Sequence, residues 1–289
     1  MLDLKGMHDS DSVFRAMTDD GTFRVITAQT TETVRGALSA QSATGPTARA
    51  FADLLTGVVL LRQTMAPQLR LQAILRGSGS TGTLVADSHP TGKTRGLVSQ
   101  KRGATGLDLG PGSLLRLVRT LHDGRIQQGI VEVPEAGISQ ALMTYLQVSE
   151  HVTTMIAVGT VFDRTRVVSA GGYLVQLLPE AQRGPLLVMT ERLEEFRAIH
   201  AHLTKPDFSP SWLTGELLYA MPFTELGASD VRFECWCSHV SVMSSLATLP
   251  RSEIQSMIDD GEILEIQCDY CNAEYRVSPS ELSGLVTSN

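Results

Sequence analysis

An α+β fold in three parts is predicted by three observations. Alternating apolar runs that pair as hairpins fill the first 180 residues, and helical patterns interrupt them without the regular strand–helix alternation of a parallel sheet. A stretch at 181–230 carries helical spacing with a single apolar stripe. All four cysteines then fall within 231–289, in two tight pairs. The expected organisation is a large mixed sheet and helix N-terminal domain over 1–180, a helical linker over 181–230, and a small C-terminal domain over 231–289 that bears the cysteines.

In the first part, "FRVITA" (Phe23 to Ala28) alternates as a strand. "TETVRGALSA" follows as a helix, with Thr31 as its N-cap and Val34 and Leu38 on one face. A longer helix is expected from Thr47 to Met65. It is apolar on most sides and should therefore be buried. "LRLQAIL" (Leu69 to Leu75), "GTLVAD" and "RGLVSQ" read as strands, and "SLLRLVRTLHDGRIQQGIVEV" as a hairpin turning at "HDG". Ala141, Leu142 and Tyr145 mark a helix over 138–146, and "MIAVGTVFDRTRVVSAGGYLVQLLP" returns to strands. In the second part, Met189, Leu193, Phe196, Ile199 and Leu203 form the apolar stripe of one helix, with Glu191, Glu194 and Glu195 away from it. "KPDFSPS" breaks that helix and "WLTGELLYAM" starts another. The ordinary meaning of such a stripe is packing on a neighbour; the sharper one is a surface that can be uncovered. In the third part, "VMSSLATL" and "SEIQSMIDDG" read as short helices, the second stopped by Gly261. "EILEIQ" is a strand leading into Cys268, and "EYRV" a strand leaving Cys271.

Composition excludes several classes. Hydrophobic residues at 42% and charged residues at 19% belong to a folding chain, not a disordered one. The start "MLDLKGMHDSDSVF" lacks the apolar segment of a secretory signal. The most apolar stretch, Phe51 to Leu61, includes Asp53 and falls well short of the roughly 20 residues a membrane span needs. The cytoplasm is the expected location, where clustered thiols stay reduced and serve as metal ligands or redox groups. From Val231 onward there are nine acidic and three basic residues, so this part carries −6 of the chain's net −7. A phosphate-binding role is thereby disfavoured, and nucleic acid is not an expected partner.

Cys235 and Cys237 form a CxC pair, and Cys268 and Cys271 form a CxxC pair after thirty intervening residues. Two close pairs supplying four thiolates are the usual donor set for a closed tetrahedral zinc shell. One zinc per reduced chain is the expected cofactor, and the C-terminal part is expected to be a zinc-binding domain. A thioredoxin-like use of "CDYC" would need the pair at the start of a helix, but a strand precedes it and "NAEYRV" follows. "GSGSTG" at Gly77, Gly79 and Gly82 mimics a dinucleotide-binding loop. The "TLVAD" after it is a strand, so a hairpin loop is the better reading. His239, close after Cys237, is read as a surface residue. No Ser–His–Asp arrangement or carboxylate pair stands out, and no enzymatic activity or catalytic residue is expected.

Four further stretches carry a resemblance. "RGLV" from Arg95, "YLQVSEH" from Tyr145, "GGYLVQLLPEA" from Gly171 and "FECWCS" from Phe233, together with the distant CxxC, resemble the redox-regulated heat-shock chaperones of about 33 kilodaltons. The likeness extends over essentially the whole chain. Two departures are His151, where that family usually has glutamine, and "CSHVSV", which lacks basic residues after CxC. Cations beside a thiolate lower its pKa, so the second departure bears on thiol reactivity. The resemblance implies an ATP-independent holdase, inactive when reduced and zinc-bound. It further implies that oxidation forms the disulfides Cys235–Cys237 and Cys268–Cys271, releases zinc, unfolds the C-terminal part and the linker, and is accompanied by homodimer formation. Unfolded or aggregation-prone proteins would be the partners, and no membrane is implied. Met189, Leu193, Phe196 and Ile199 are the expected client-binding side chains. The competing expectation is a constitutive structural zinc module in an adaptor or nucleic-acid-binding protein.

Overall fold

The structure, a computed structural model, describes residues 10–100, 106–121, 123–135, 137–179 and 183–287. The chain start examined for a signal, residues 1–9, lies outside the described residues. The chain divides into two compact units, Met1–Glu234 and Cys235–Asn289.

The first unit holds two sheets. The five-stranded one has the order β10-β1-β2-β9-β8, with β1 (Ser12–Thr18), β2 (Phe23–Gln29), β8 (Thr154–Asp163), β9 (Arg166–Leu177) and β10 (Phe223–Asp230), all antiparallel. The six-stranded one has the order β11-β5-β4-β3-β6-β7. It contains β3 (Arg70–Arg76), β4 (Gly82–Ser88), β5 (Lys93–Gln100), β6 (Leu114–Thr120), β7 (Ile126–Glu132) and the two-residue β11 (Arg232–Phe233), which pairs parallel to β5. β3 and β4 pair antiparallel across the glycine-rich "GSGSTG", as a hairpin requires. Among the helices, α1 (Thr31–Gln41), α2 (Gly45–Arg62) and α3 (Ile138–Ser149) are followed by α4 (Arg183–Glu195), α5 (His200–Leu203) and α6 (Pro210–Leu217).

α2 is the centre of this unit. It packs on β3, β4 and β5 of one sheet and on β2, β8 and β9 of the other, and it is apolar nearly all round because it meets a partner on every side. Gly96 in β5 allows one of these approaches. A Cβ there would lie 2.5 Å from the Phe51 ring and 2.7 Å from the Val85 carbonyl oxygen. Its neighbour Arg95 reaches Asp87 on β4, a fully buried carboxylate that also accepts from Arg70. Such a buried acid is tolerable because cations satisfy it.

Three expectations change in detail. The N-cap of α1 is Thr30, not Thr31, and its side chain makes no capping bond. The carboxylate of Asp11 does that work from outside the helix, accepting the Glu32 N–H at 3.1 Å and the Thr33 N–H at 2.5 Å. The single helix expected around the stripe is two, α4 and α5, joined by tight turns that keep Phe196, Ile199 and Leu203 buried. Within 181–230, the residues after α6 are not helical but form β10 on the edge of the five-stranded sheet. β10 is mostly exposed and is bent opposite Arg15 and Ala16, where Gly227 takes φ +123°, so its sequence lacks strand alternation.

The second unit contains α7 (His239–Leu246), α8 (Arg251–Asp260), the antiparallel pair β12 (Leu264–Gln267) and β13 (Glu274–Val277), and α9 (Pro279–Thr287). Gly261 ends α8 in the left-handed conformation, as anticipated. α9 had no sequence expectation. Among the described residues, the buried apolar side chains of this unit are Ile254, Val277 and Leu282, ringed by half-buried ones such as Leu246, Ile266 and Leu285.

Gly96→Ala should destabilise the first unit by about 1–3 kcal/mol, because Phe51 and the β4 backbone must both give way. Urea unfolding followed by far-ultraviolet circular dichroism, with the parent alongside, measures this.

Candidate metal centre

The second unit brings its four cysteines to one point. The Sγ atoms of Cys235, Cys237, Cys268 and Cys271 all lie within 4.8 Å of one another. The Cys235–Cys268 separation is 3.8 Å and the Cys237–Cys271 separation 3.4 Å. Four sulfurs at about 2.3 Å from a tetrahedral ion would be about 3.8 Å apart, so the donor set and its spacing fit zinc.

Local structure explains how each pair arrives. Cys235 and Cys237 precede α7, which Ser238 caps by accepting the Ser241 N–H at 3.1 Å. The serine that follows CxC thus fixes where the helix begins. Cys268 and Cys271 lie on the turn between β12 and β13. Cys268 N donates to Ala273 O at 2.9 Å and Asn272 N to Cys268 O at 2.8 Å. Asn272 sits at φ +60°, a left-handed position that asparagine adopts more readily than most residues.

Around the sulfurs, Tyr275 on β13 donates its hydroxyl to Cys237 Sγ at 3.0 Å. Sequence reasoning missed this residue, although a tyrosine two positions into the strand after the CxxC turn was there to be considered. Burial, with the other thiols facing them, pushes the Cys237 and Cys271 pKa values up, that of Cys271 to about 12. A divalent cation would reverse that by stabilising the thiolates. His239 stays outside the cluster; its Nε2 lies 3.3 Å from Glu281, and both side chains are partly exposed.

The apolar stripe belongs to the first unit. Met189, Leu193, Phe196 and Ile199 are all buried, in a cluster with Phe23, Val25, Tyr173 and Val175 from the five-stranded sheet. Phe196 also stacks on His202, with ring centroids 4.2 Å apart. The exposed apolar side chains of α4 are instead Leu187 and Val188, with Leu186 partly so, and sequence reasoning did not single these out.

Tyr275→Phe should leave the second unit folded and weaken its hold on zinc about tenfold or more, the usual cost of losing a partner to a metal ligand. Competition with a chromophoric chelator under reducing conditions provides the affinity.

Comparison with known proteins agrees over nearly the full length. A family model described as Hsp33 protein matches residues 11–278. The "33 kDa chaperonin" of Syntrophotalea carbinolica is 30% identical over 287 residues, covering 96% of this chain and 99% of the relative. The protein of the same name from Streptococcus gordonii is 26% identical, covering 96% and 98%. The crystal structure of the 33 kDa chaperonin (heat shock protein 33 homolog) from Thermotoga maritima superposes with a TM-score of 0.81 at 20% identity, covering 96% of this chain and 98% of the other, and so shares the α+β fold. With the family model spanning both units and the cysteine pairs inside its match, the chain belongs to the Hsp33 family.

Proposed function

We propose that the protein is a redox-regulated, ATP-independent chaperone that holds unfolded proteins, and not an enzyme. The observation that carries the reading is the four-sulfur cluster in a unit with so few buried apolar side chains. In the reduced state Cys235, Cys237, Cys268 and Cys271 hold one zinc ion, which ties the two cysteine pairs together across thirty residues. A structural zinc site is worth about 10–16 kcal/mol of apparent binding energy, which in a small unit is folding energy.

Oxidation then joins Cys235 to Cys237 and Cys268 to Cys271. In forming each disulfide a pair of thiolates gives up two electrons, and a peroxide that accepts them together with two protons leaves as two molecules of water. These disulfides close loops of only a few residues and so constrain the chain little. Without the long-range tie, the C-terminal part (231–289) unfolds. The linker (181–230) loosens with it, and Met189, Leu193, Phe196 and Ile199 are uncovered for clients, the core of 1–180 remaining folded. Contiguous exposed apolar surface of this kind is what captures unfolded chains. The working form is a homodimer in the cytoplasm, with no nucleic-acid or membrane partner. Among the described residues no helix is long and apolar enough to cross a membrane.

Reduced protein should contain one zinc per chain and leave aggregation of a thermally unfolded client unchanged. Peroxide treatment should release the zinc and suppress the light scattering. Retention of metal and fold under peroxide would favour a constitutive zinc module instead. Replacing Leu193 and Phe196 together with serine should weaken capture by the oxidised protein while zinc stoichiometry in the reduced protein survives. Each of the two side chains is worth about 1.5–3 kcal/mol of burial, so partial activity in the reduced variant is the second expected sign. Capture equal to the parent's would place the client surface elsewhere.

A further inference from the structure

The five-stranded sheet ends on β8, and one side of that strand is left open. Leu177 N donates to Thr153 O, and Val158 N donates away from the sheet to Ser139 Oγ at 3.1 Å. These two bonds fix Thr154/Gln176, Ile156/Leu174 and Val158/Gly172 as the non-hydrogen-bonded pairs of the β8–β9 ladder. The N–H and C=O of Thr154 and Ile156 therefore point outward, and they have no partner among the described residues. Beyond them the edge is closed: Ser139 takes the Val158 amide, and Arg49 donates to Thr160 O at 3.1 Å.

A groove of about 760 Å³ runs along this open stretch. Met143 and Gln147 of α3 line it, as do Arg197, between α4 and α5, and His200 at the start of α5. Two more unsatisfied groups lie on it. The hydroxyls of Thr154 and Tyr173 are buried without a partner among the described residues, and Tyr173 is fully buried. Buried polar groups ordinarily have partners, so unsatisfied groups at three neighbouring residues, Thr154, Ile156 and Tyr173, call for a ligand that supplies them. The other long free edges differ. β7 and β10 are mostly exposed, where water serves.

We propose that the open edge of β8 receives an extended segment of an unfolded polypeptide as an added strand. This rests on the chaperone reading and names the form in which a client is held. Outward amides and carbonyls repeat every second residue, about 6.6–6.8 Å apart, and an extended peptide backbone repeats its own at the same interval. Main-chain pairing is indifferent to client sequence, while the mixed apolar and polar walls tolerate varied side chains. One wall is the segment that oxidation is proposed to loosen, so oxidation widens access to the edge.

The test uses the full oxidised chain and a reduced, alkylated lactalbumin as a permanently unfolded client. Amide hydrogen exchange at Thr154 and Ile156 should slow about tenfold or more on client binding, and that of Val158, already bonded, should not. Thr154→Pro removes one outward donor at the first residue of the strand without touching the β9 ladder. It should weaken capture about tenfold while zinc content and thermal unfolding match the parent. Should that variant prove unstable, a short extended peptide should compete with the client and its alternately N-methylated form should not. Client capture by the parent without protection at either amide overturns the edge site and leaves the chaperone reading standing; no capture by the oxidised parent overturns both. Protection that tracks protein concentration without client assigns the edge to a second copy of the chain and also overturns the proposal.

Discussion

Four sulfur atoms within 4.8 Å of one another have to be kept in place by a unit whose fully buried apolar side chains, among the described residues, are Ile254, Val277 and Leu282. Such a core is too small to fix the geometry unaided, as is usual for domains of this size. The surrounding structure is accordingly made of short-range devices. Ser238 starts α7 directly after one pair, Asn272 turns the chain directly after the other, and Tyr275 reaches back to Cys237. The first two act within a few residues of a cysteine, and the third joins the hairpin to the first cysteine pair. The cluster, with Tyr275 against it and a small apolar core, is what connects the front of the unit to its hairpin.

The first unit is organised in the opposite way. α2 is enclosed by two sheets, and its contacts come from strands throughout the sequence. Asp87 with Arg70 and Arg95, and Gly96 under Phe51, hold β4 and β5 to that helix. No cysteine contributes to this core. With all four thiols in one unit and a separate core in the other, the chain has the asymmetry that the proposed redox switch requires.

Much of this was legible in the sequence because the governing signals were local. The hairpins of β3 through β7, the buried α2, the stop at Gly261 and the strands around the CxxC turn each follow from a period or a turn residue within a short window. Elements fixed by distant partners were not legible. β10 is polar, bent at Gly227 and recognisable only from its partner β1, and the α1 cap comes from Asp11, about twenty residues upstream. The cysteines were legible as a donor set, whereas Tyr275 was not, since a hydroxyl bonded to sulfur leaves no spacing rule behind. The stripe from Met189 to Leu203 could be read as apolar and packed on a neighbour, but its partners Tyr173 and Val175 could not.

The pairing of β1 with β10 also sets a timetable for synthesis. Ser12 meets Asp230 and Thr18 meets Phe223, so β1, the first strand made, gains its second neighbour only after some two hundred further residues have left the ribosome. Cys235 follows the last residue of that strand by five positions. Between the synthesis of β1 and that of β10 the nascent chain thus carries an unfinished sheet edge and adds no thiol. Closure of the large unit and arrival of the first sulfur ligands fall within moments of each other, which spares the growing chain a long exposure of reactive side chains ahead of the fold that precedes them.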